Sequence, residues 1–449
     1  MIRETDMWAA RGQGVTKTSA SPFSLRSRTS LPYLWAFGGE QSQDRVESAS
    51  SPACVGWWER LERGLLQRFQ ALQLFMERLA SGKALPAAVD VESCGVFRRK
   101  LRRLAPALCL APGVRGRALS PVSAPAWTWL GSTDLLLRPD GSVVVLDQNF
   151  SAVSACSGLE RLPELDGVSV EHSACTVRTA LFPRGIDRSG ESPVLLEPAH
   201  PGADEGLNDF LARCLGAERA HRGQLRAGVD GLFLLREGQR LRKRGLVRRI
   251  DDELLDPNFF RPDSLVGLPG LVRCWSAGET SILHAPGSSL LCLRSVVRSV
   301  PQLIREFLGE EPLIGTVPLL ECHRPDELAR ILRNPRDYLF RHCDPVEPVR
   351  SRCGQTASTA ELTELLSRIR HDPSGWCARP LRPADAGGQH LRVFASYTDQ
   401  FRLLRTGLVQ PADCDGGAAQ LVPAEASLKT LRPVRTVSCE NTAAVPVAE

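Results

Sequence analysis

At 449 residues the chain exceeds one ordinary domain, and 43% hydrophobic content supports a substantial core; its apolar runs fall far short of the roughly 20 residues of a bilayer span, so it reads as soluble and cytoplasmic with no membrane partner. Fourteen cysteines without a CxxC pair read as reduced thiols, so neither disulfides nor structural zinc is expected. The net charge of +5 hides an arginine bias: of 56 basic residues only Lys17, Lys83, Lys100, Lys243 and Lys429 are lysine, a pattern typical of a GC-rich bacterial genome.

Residues 1–52 are rich in Ser, Arg, Gly and Gln without periodicity and read as a disordered tail or an over-called start. From Trp57, Leu61, Leu65, Phe69, Leu72 and Phe75 fall at helical spacing, and Gly82 is a C-cap candidate. A second helix is expected over Ser93 to Arg103, so 53–120 reads as an N-terminal helical segment packed on a main domain over 121–436, with a tail at 437–449. "PVLLEPA" reads as a buried strand, and "DEGLNDFLARCLGAE" as the helix after it, with Asp204 near its start. "GLFLLREGQRLRKR" reads as a hairpin on a Glu-Gly turn. The basic run "RLRKRGLVRR" lacks interleaved aromatics and reads as a solvated or internally paired face, so no nucleic acid is expected. Helices over "SVVRSVPQLIREFLGEEP" and "RPDELARILRN", a strand "YLFRHC", a helix "TAELTELLSRIRHDP" and strands "HLRVFASY" and "FRLLRTGLV" complete a mixed α/β chain.

The stretch "DLLLRPDGSVVVLDQNF" carries the chemistry. Two β-rich arms around Pro139-Asp140-Gly141 read as an antiparallel hairpin. With Asp140-Gly141 as the loop, Asp134 falls opposite Asp147, and Asn149 follows on the same face. Like charges directly opposite destabilise a ladder unless a cation sits between them. A divalent metal is the expected cation; the alternative is an exposed ribbon whose acids face water.

The run "RRIDDELLDPNFFRPDSLVGLPGLVRCWSAGETSILHAPGSSL", followed by "EFLGEEPLIGTVPLLECHRPDELARIL", resembles the circularly permuted ATP-grasp proteins of the second type. The helix "LLQRFQALQLF", the hairpin ending in Asp147-Gln148-Asn149, "VLLEPA" with "FLARCLG", and "LRVFASYTDQFRLLRTGLVQPA" follow in the same order, so the resemblance covers roughly 56 to 436. It implies a two-lobed architecture holding ATP with Mg²⁺, and a ligase that activates a carboxylate as an acyl phosphate for attack by an amine. Asp134, Asp147 and Asn149 would be the metal ligands.

Candidate catalytic residues are Arg248, Arg249 and Arg392; adjacent strand arginines face opposite ways, so one of the first two would reach phosphate while the other pairs structurally. Arg341, Gly287 and Ser288 are the nucleotide candidates, the last two within the "APGSS" segment. Asp251 joins the arginines in "RRIDD"; Asp256, Asp263 and Ser264 read as loop-shaping, and Gly267, Gly270 and Gly287 as close backbone approaches. His284 stands where the family carries Asn and reads as a spacer.

The sequence also departs from the family. No lysine lies between Arg244 and Leu428, Arg341 stands at a lysine position, and Arg379-Pro380 occupies a hinge that normally offers an acid. Val153-Ser154-Ala155 replaces the expected Pro-Ser-Gly. The alternative function is therefore a catalytically degenerate ATP-grasp protein acting as a nucleotide, peptide or partner-binding module. The family further implies an amino-acid or peptide substrate and companion proteins that are all-helical or transglutaminase-like.

Overall fold

The computed structural model describes residues 52–112, 127–138, 142–153, 155, 156, 159, 192–198, 205–344, 351–381, 389–397 and 401–411. The sequence expectations for residues 1–51, Pro139-Asp140-Gly141, Ser154, Asp204 and 437–449 lie outside them. Helix α1 (Pro52–Ala80) ends before Gly82, whose φ of 67° is the left-handed conformation that glycine adopts without a Cβ penalty. Leu61, Leu65, Phe69, Leu72 and Phe75 are all buried, as the helical period requires. Helix α2 spans Gly95–Leu108, two residues later and longer than its expected limits.

The hairpin strands β1 (Gly131–Leu137) and β2 (Val143–Asn149) lie inside a five-stranded sheet with β10 (Gly315–Thr316), β15 (Gln389–Tyr397) and β16 (Phe401–Pro411), in the order β10-β2-β1-β15-β16. Strand β3 (Val194–Leu196) leads through α3 (Glu205–Leu215) to β4 (Glu218–Ala220), and both join β8 (Gly245–Arg248) and β9 (Ser281–Leu283) in a parallel sheet ordered β4-β3-β8-β9. Its inner strand β3 is wholly apolar and buried, as a strand covered on both faces must be, whereas the edge strand β4 carries Glu218 and Arg219.

Strands β5 (Leu225–Gly228), β6 (Gly231–Arg236) and β7 (Gln239–Lys243) form a meander. The Glu-Gly turn between β6 and β7 is as read: Arg236 pairs with Gln239, and Glu237 and Gly238 take φ of 49° and 77°, the two positive values of a type I′ turn. In the basic run, Arg240, Arg242 and Lys243 pair with Asp230, Glu279 and Glu218.

Helices α4 (Leu271–Ser276) and α5 (Arg294–Leu308) precede a second antiparallel sheet of β11 (Leu320–Glu321), β12 (Tyr338–His342), β13 (Arg352–Cys353) and β14 (Trp376–Pro380), ordered β11-β14-β12-β13. With α6 (Pro325–Arg333) and α7 (Thr359–His371) it encloses its own small core around Ile331, Phe340, Leu365, Ile369 and Trp376. The other elements share one large core. Arg68 of α1 is fully buried and fixes that helix to the five-stranded sheet through Gln148 Oε1 (2.8 Å) and Thr316 Oγ1 (3.0 Å). Among the described residues no helix is long and apolar enough to cross a membrane.

Candidate active site

Asp134 stands opposite Asp147, as the sequence reading required, although the hairpin arrives there by another route. Near the turn Leu137 pairs with Val143, and the Arg138 N–H donates to Ser142 O at 2.9 Å, one residue out of the register set by a two-residue loop. A bulge on β2, where Leu146 is the extra residue between the Asp134–Asp147 and Leu135–Val145 pairs, restores the carboxylate pairing. The positive charge that relieves the repulsion comes from arginines of the chain itself. Arg392 on β15, the cross-strand neighbour of Asp134, makes a two-pronged pair with it (Nε–Oδ1 2.7 Å, Nη2–Oδ2 2.8 Å). Asp147 Oδ2 accepts from Arg294 Nη1 at 2.5 Å and Arg341 Nη1 at 3.1 Å. The expectation that two opposed acids require a metal is thus too narrow, because guanidinium forks meet the same electrostatic demand.

Arg294 is the first residue of α5, so the positive end of that helix adds to its own charge beside Asp147. Arg341 comes from β12 in the second sheet, which makes Asp147 a junction between the two cores. Arg341 and Arg379 both press on His390, whose pKa falls to about 3 first through burial and then through these two cations. Asn149 Oδ1 accepts from the Ser151 N–H at 2.9 Å and from the Cys292 thiol at 3.5 Å.

The N-terminal helical segment also supplies a buried lysine. Lys100 of α2 pairs with Asp344 just beyond β12, at 2.8 Å. Burial alone would lower its pKa, yet Asp251 and Asp344 raise it, so the ammonium is retained. Asp251 is pushed up to about 6 because loss of water disfavours its carboxylate more than Lys100 favours it.

The two arginines in "RRIDD" are spent on internal bonds. Arg248 is 1% exposed and donates to His284 O (2.6 Å), Ile250 O (2.7 Å), Asp252 Oδ1 (2.5 Å), Ala285 O (3.3 Å) and Ser288 Oγ (3.2 Å). Arg249 Nε donates to Asn208 Oδ1 at 3.0 Å, and its Nη1 donates to Ala152 O at 3.0 Å and to Val153 O. Both serve as braces, contrary to the catalytic expectation for one of them.

The "APGSS" segment is an anion cradle, but the anion is internal: Gly287 and Ser289 donate their N–H groups to the two Asp252 carboxylate oxygens, each at 2.9 Å. Gly287 has φ of 102°, and a Cβ there would lie 2.5 Å from Leu108. That carboxylate occupies the Gly287 N–H expected for phosphate, while Ser288 donates its N–H to Ala285 O at 3.1 Å and its hydroxyl accepts from Arg248.

The remaining residues behave as loop formers. Asp256 takes N–H bonds from Asn258 (2.9 Å), Gly270 (3.2 Å) and Val272 (2.9 Å), and Ser264 Oγ donates to Leu254 O at 2.7 Å. Asp263 pairs with Arg261 on the surface. His284 is buried edge-on to Trp129, with ring centroids 4.9 Å apart and φ of 57°, a conformation to which Asn and His are better suited than most residues. Arg294, Asp252, Lys100, Asp344 and Cys292 were missed by sequence reasoning; apart from the helix-initial position of Arg294, no local pattern marks them.

A family model for circularly permuted ATP-grasp type 2 matches residues 168–412, more than half of the chain. The chain belongs to that ATP-grasp family. The acidic hairpin lies before the matched stretch. Among relatives, an uncharacterized protein of Synechocystis is 28% identical over 356 residues, covering 72% of this chain and 68% of its own length. One of Mycobacterium leprae is 27% identical, covering 75% and 59%. A Frankia alni protein named "Putative glutamate--cysteine ligase 2-3" is 28% identical over 71% of this chain and 37% of its own length. The chain thus spans between about a third and two thirds of these relatives.

ATP-grasp proteins typically take ATP with Mg²⁺. Asp147 and Asn149 suit that ion: both offer hard oxygen, two residues apart on β2, and Asp147 Oδ1 accepts only the adjacent Gln148 N–H at 3.0 Å among the bonds described. Asp134 suits it less, since both of its oxygens are engaged by Arg392.

Proposed function

We propose that the protein is an ATP-dependent carboxylate–amine ligase acting on an amino acid or short peptide. The observation that carries this reading is the meeting at Asp147 of Arg294 and Arg341, from two different cores, beside Asn149 and the Asp134–Arg392 pair. Arg341, Arg294 and Arg392 would receive the triphosphate, exchanging carboxylate partners for phosphate oxygens. Asp147 and Asn149 would hold Mg²⁺, which neutralises phosphate charge when bound. A substrate carboxylate oxygen then attacks the terminal phosphorus and ADP leaves. The substrate amine next attacks the acyl carbon, phosphate departs, and the amine's proton passes to solvent. The amino-acid substrate class is supported by the name of the Frankia relative.

The test is to incubate the protein with Mg-ATP, pooled amino acids and hydroxylamine, measuring ADP and hydroxamate. A hydroxamate formed with ADP and lost in Arg341→Ala is expected; no ADP with any amino-acid or peptide pool counts against ligation. A second reading, nucleotide binding without turnover, is favoured by the internal use of Arg248, Arg249 and the Gly287–Ser289 amides. It expects bound nucleotide with no ADP released.

A further inference from the structure

Away from the acidic hairpin, Cys94, Glu321 and His323 bring one sulfur, one carboxylate oxygen and one imidazole nitrogen within 4.8 Å of one another. Cys94 caps the start of α2, while Glu321 ends β11 and His323 follows two residues later. Two of their polar atoms are orphaned. Glu321 Oε1 and His323 Nδ1 are buried without a hydrogen-bond partner among the described residues, and Glu321 as a whole is 1% exposed. Leaving a buried polar atom without a partner forfeits its hydration with nothing in return, so two in one cluster call for a partner between them.

The outer edges of the cluster are fixed as ligand side chains usually are. Glu321 Oε2 accepts from Arg298 Nη1 and Arg324 Nε, both at 3.1 Å, which leaves Oε1 to face the cluster. The other ring nitrogen of His323, Nε2, meets Ser93 Oγ at 3.1 Å, the second contact that orients a metal-bound imidazole. The Cys94 thiol stands at the start of α2, where it donates to Ser374 O at 4.0 Å. A thiolate, an imidazole and a carboxylate form a mixed sulfur, nitrogen and oxygen set; hard magnesium or calcium would avoid the thiolate, whereas zinc accepts all three.

We propose that Cys94, Glu321 and His323 form a zinc site, completed by a water entering beside the half-buried His323. Binding displaces any thiol proton to solvent and involves no redox change. The ion would pin the start of α2, in the large core, to β11, in the smaller sheet. Ser93 and His323 are 230 residues apart in sequence, so no CxxC-type spacing betrays the site. The proposal does not depend on the nucleotide reading.

The test uses the full chain, reduced, stripped with chelator and reloaded with Zn²⁺ or Co²⁺. About one zinc per chain should survive gel filtration and raise the melting temperature, and Co²⁺ should give a thiolate charge-transfer band. Cys94→Ser and His323→Ala should each weaken binding more than about tenfold, while Cys214→Ser in α3 should not. Should Cys94→Ser fail to fold by circular dichroism, His323→Ala carries the test, with Ser93→Ala as its milder companion. No retained zinc, retention unchanged in both ligand variants, or a Cys94–Cys343 disulfide forming in place of metal uptake overturns the proposal.

Discussion

Asp134 and Arg392 face each other on adjacent strands and are joined by two charge-assisted hydrogen bonds, with Arg392 only 1% exposed. Removing one partner strands the other charge in a nearly dry site. Arg392→Met is therefore expected to cost about 3–5 kcal/mol in urea unfolding, and the double variant Asp134→Asn with Arg392→Met to recover much of that loss. Additive losses would mean that the pair does not act as a unit.

Arg341 spans from the second sheet to Asp147. If it receives phosphate when nucleotide enters, Arg341→Ala should weaken Mg-ATP binding by about tenfold to a hundredfold, the range of one hydrogen bond to a charged group. Calorimetric titration measures this, and Arg341→Lys should restore only part of the affinity because it cannot present a planar fork. Unchanged affinity in Arg341→Ala would remove the residue from the site.

Arg248 and Asp252 should behave as a structural pair. Asp252 ties Arg248 to the amides of Gly287 and Ser289, so Asp252→Asn is expected to lower unfolding stability by about 3–5 kcal/mol while leaving Mg-ATP affinity of the folded protein unchanged. Affinity lost without loss of stability would return this segment to a direct phosphate role.

Acid should weaken the fold through two histidines and one opposing aspartate. Burial holds His284 well below its ordinary pKa of 6.5 and His390 at about 3, so below pH 6.5 the unfolded chain binds protons that the folded one refuses. Asp251, held at about 6 in the fold, works the other way: the folded state keeps its proton as pH falls from 6 toward 4. Near pH 5 unfolding thus takes up roughly one net proton from these three groups, or about 1.4 kcal/mol lost per pH unit. His284→Asn, compatible with the positive φ, should flatten the slope, and Asp251→Asn should steepen it; parallel profiles in wild type and His284→Asn would contradict the assignment.

Much of the fold was legible because its periodic signals are local: the heptad-like burial from Leu61 to Phe75, the Glu237-Gly238 turn and the alternation around Asp147 all act within a few residues. The opposition of Asp134 and Asp147 was read correctly even though a bulge, which the apolar pattern does not announce, supplied the last step of register. What escaped was long-range pairing. Which of many arginines meets Asp147 depends on how β12 and α5 pack, and the use of Asp252 to fill the Gly287 cradle looks in sequence like any acid near any glycine. Lys100 was equally hidden, since its partner Asp344 is 244 residues away.

The most direct test is titration of ATP into the wild-type protein and into Asp147→Ala with Asn149→Ala, with and without Mg²⁺, followed by calorimetry and thermal shift. The acidic hairpin as a metal–nucleotide seat expects magnesium-dependent binding to the wild type that raises the melting temperature and disappears in a double variant that is still folded. Binding that is indifferent to magnesium or survives both substitutions, or no binding by the wild type, would contradict it.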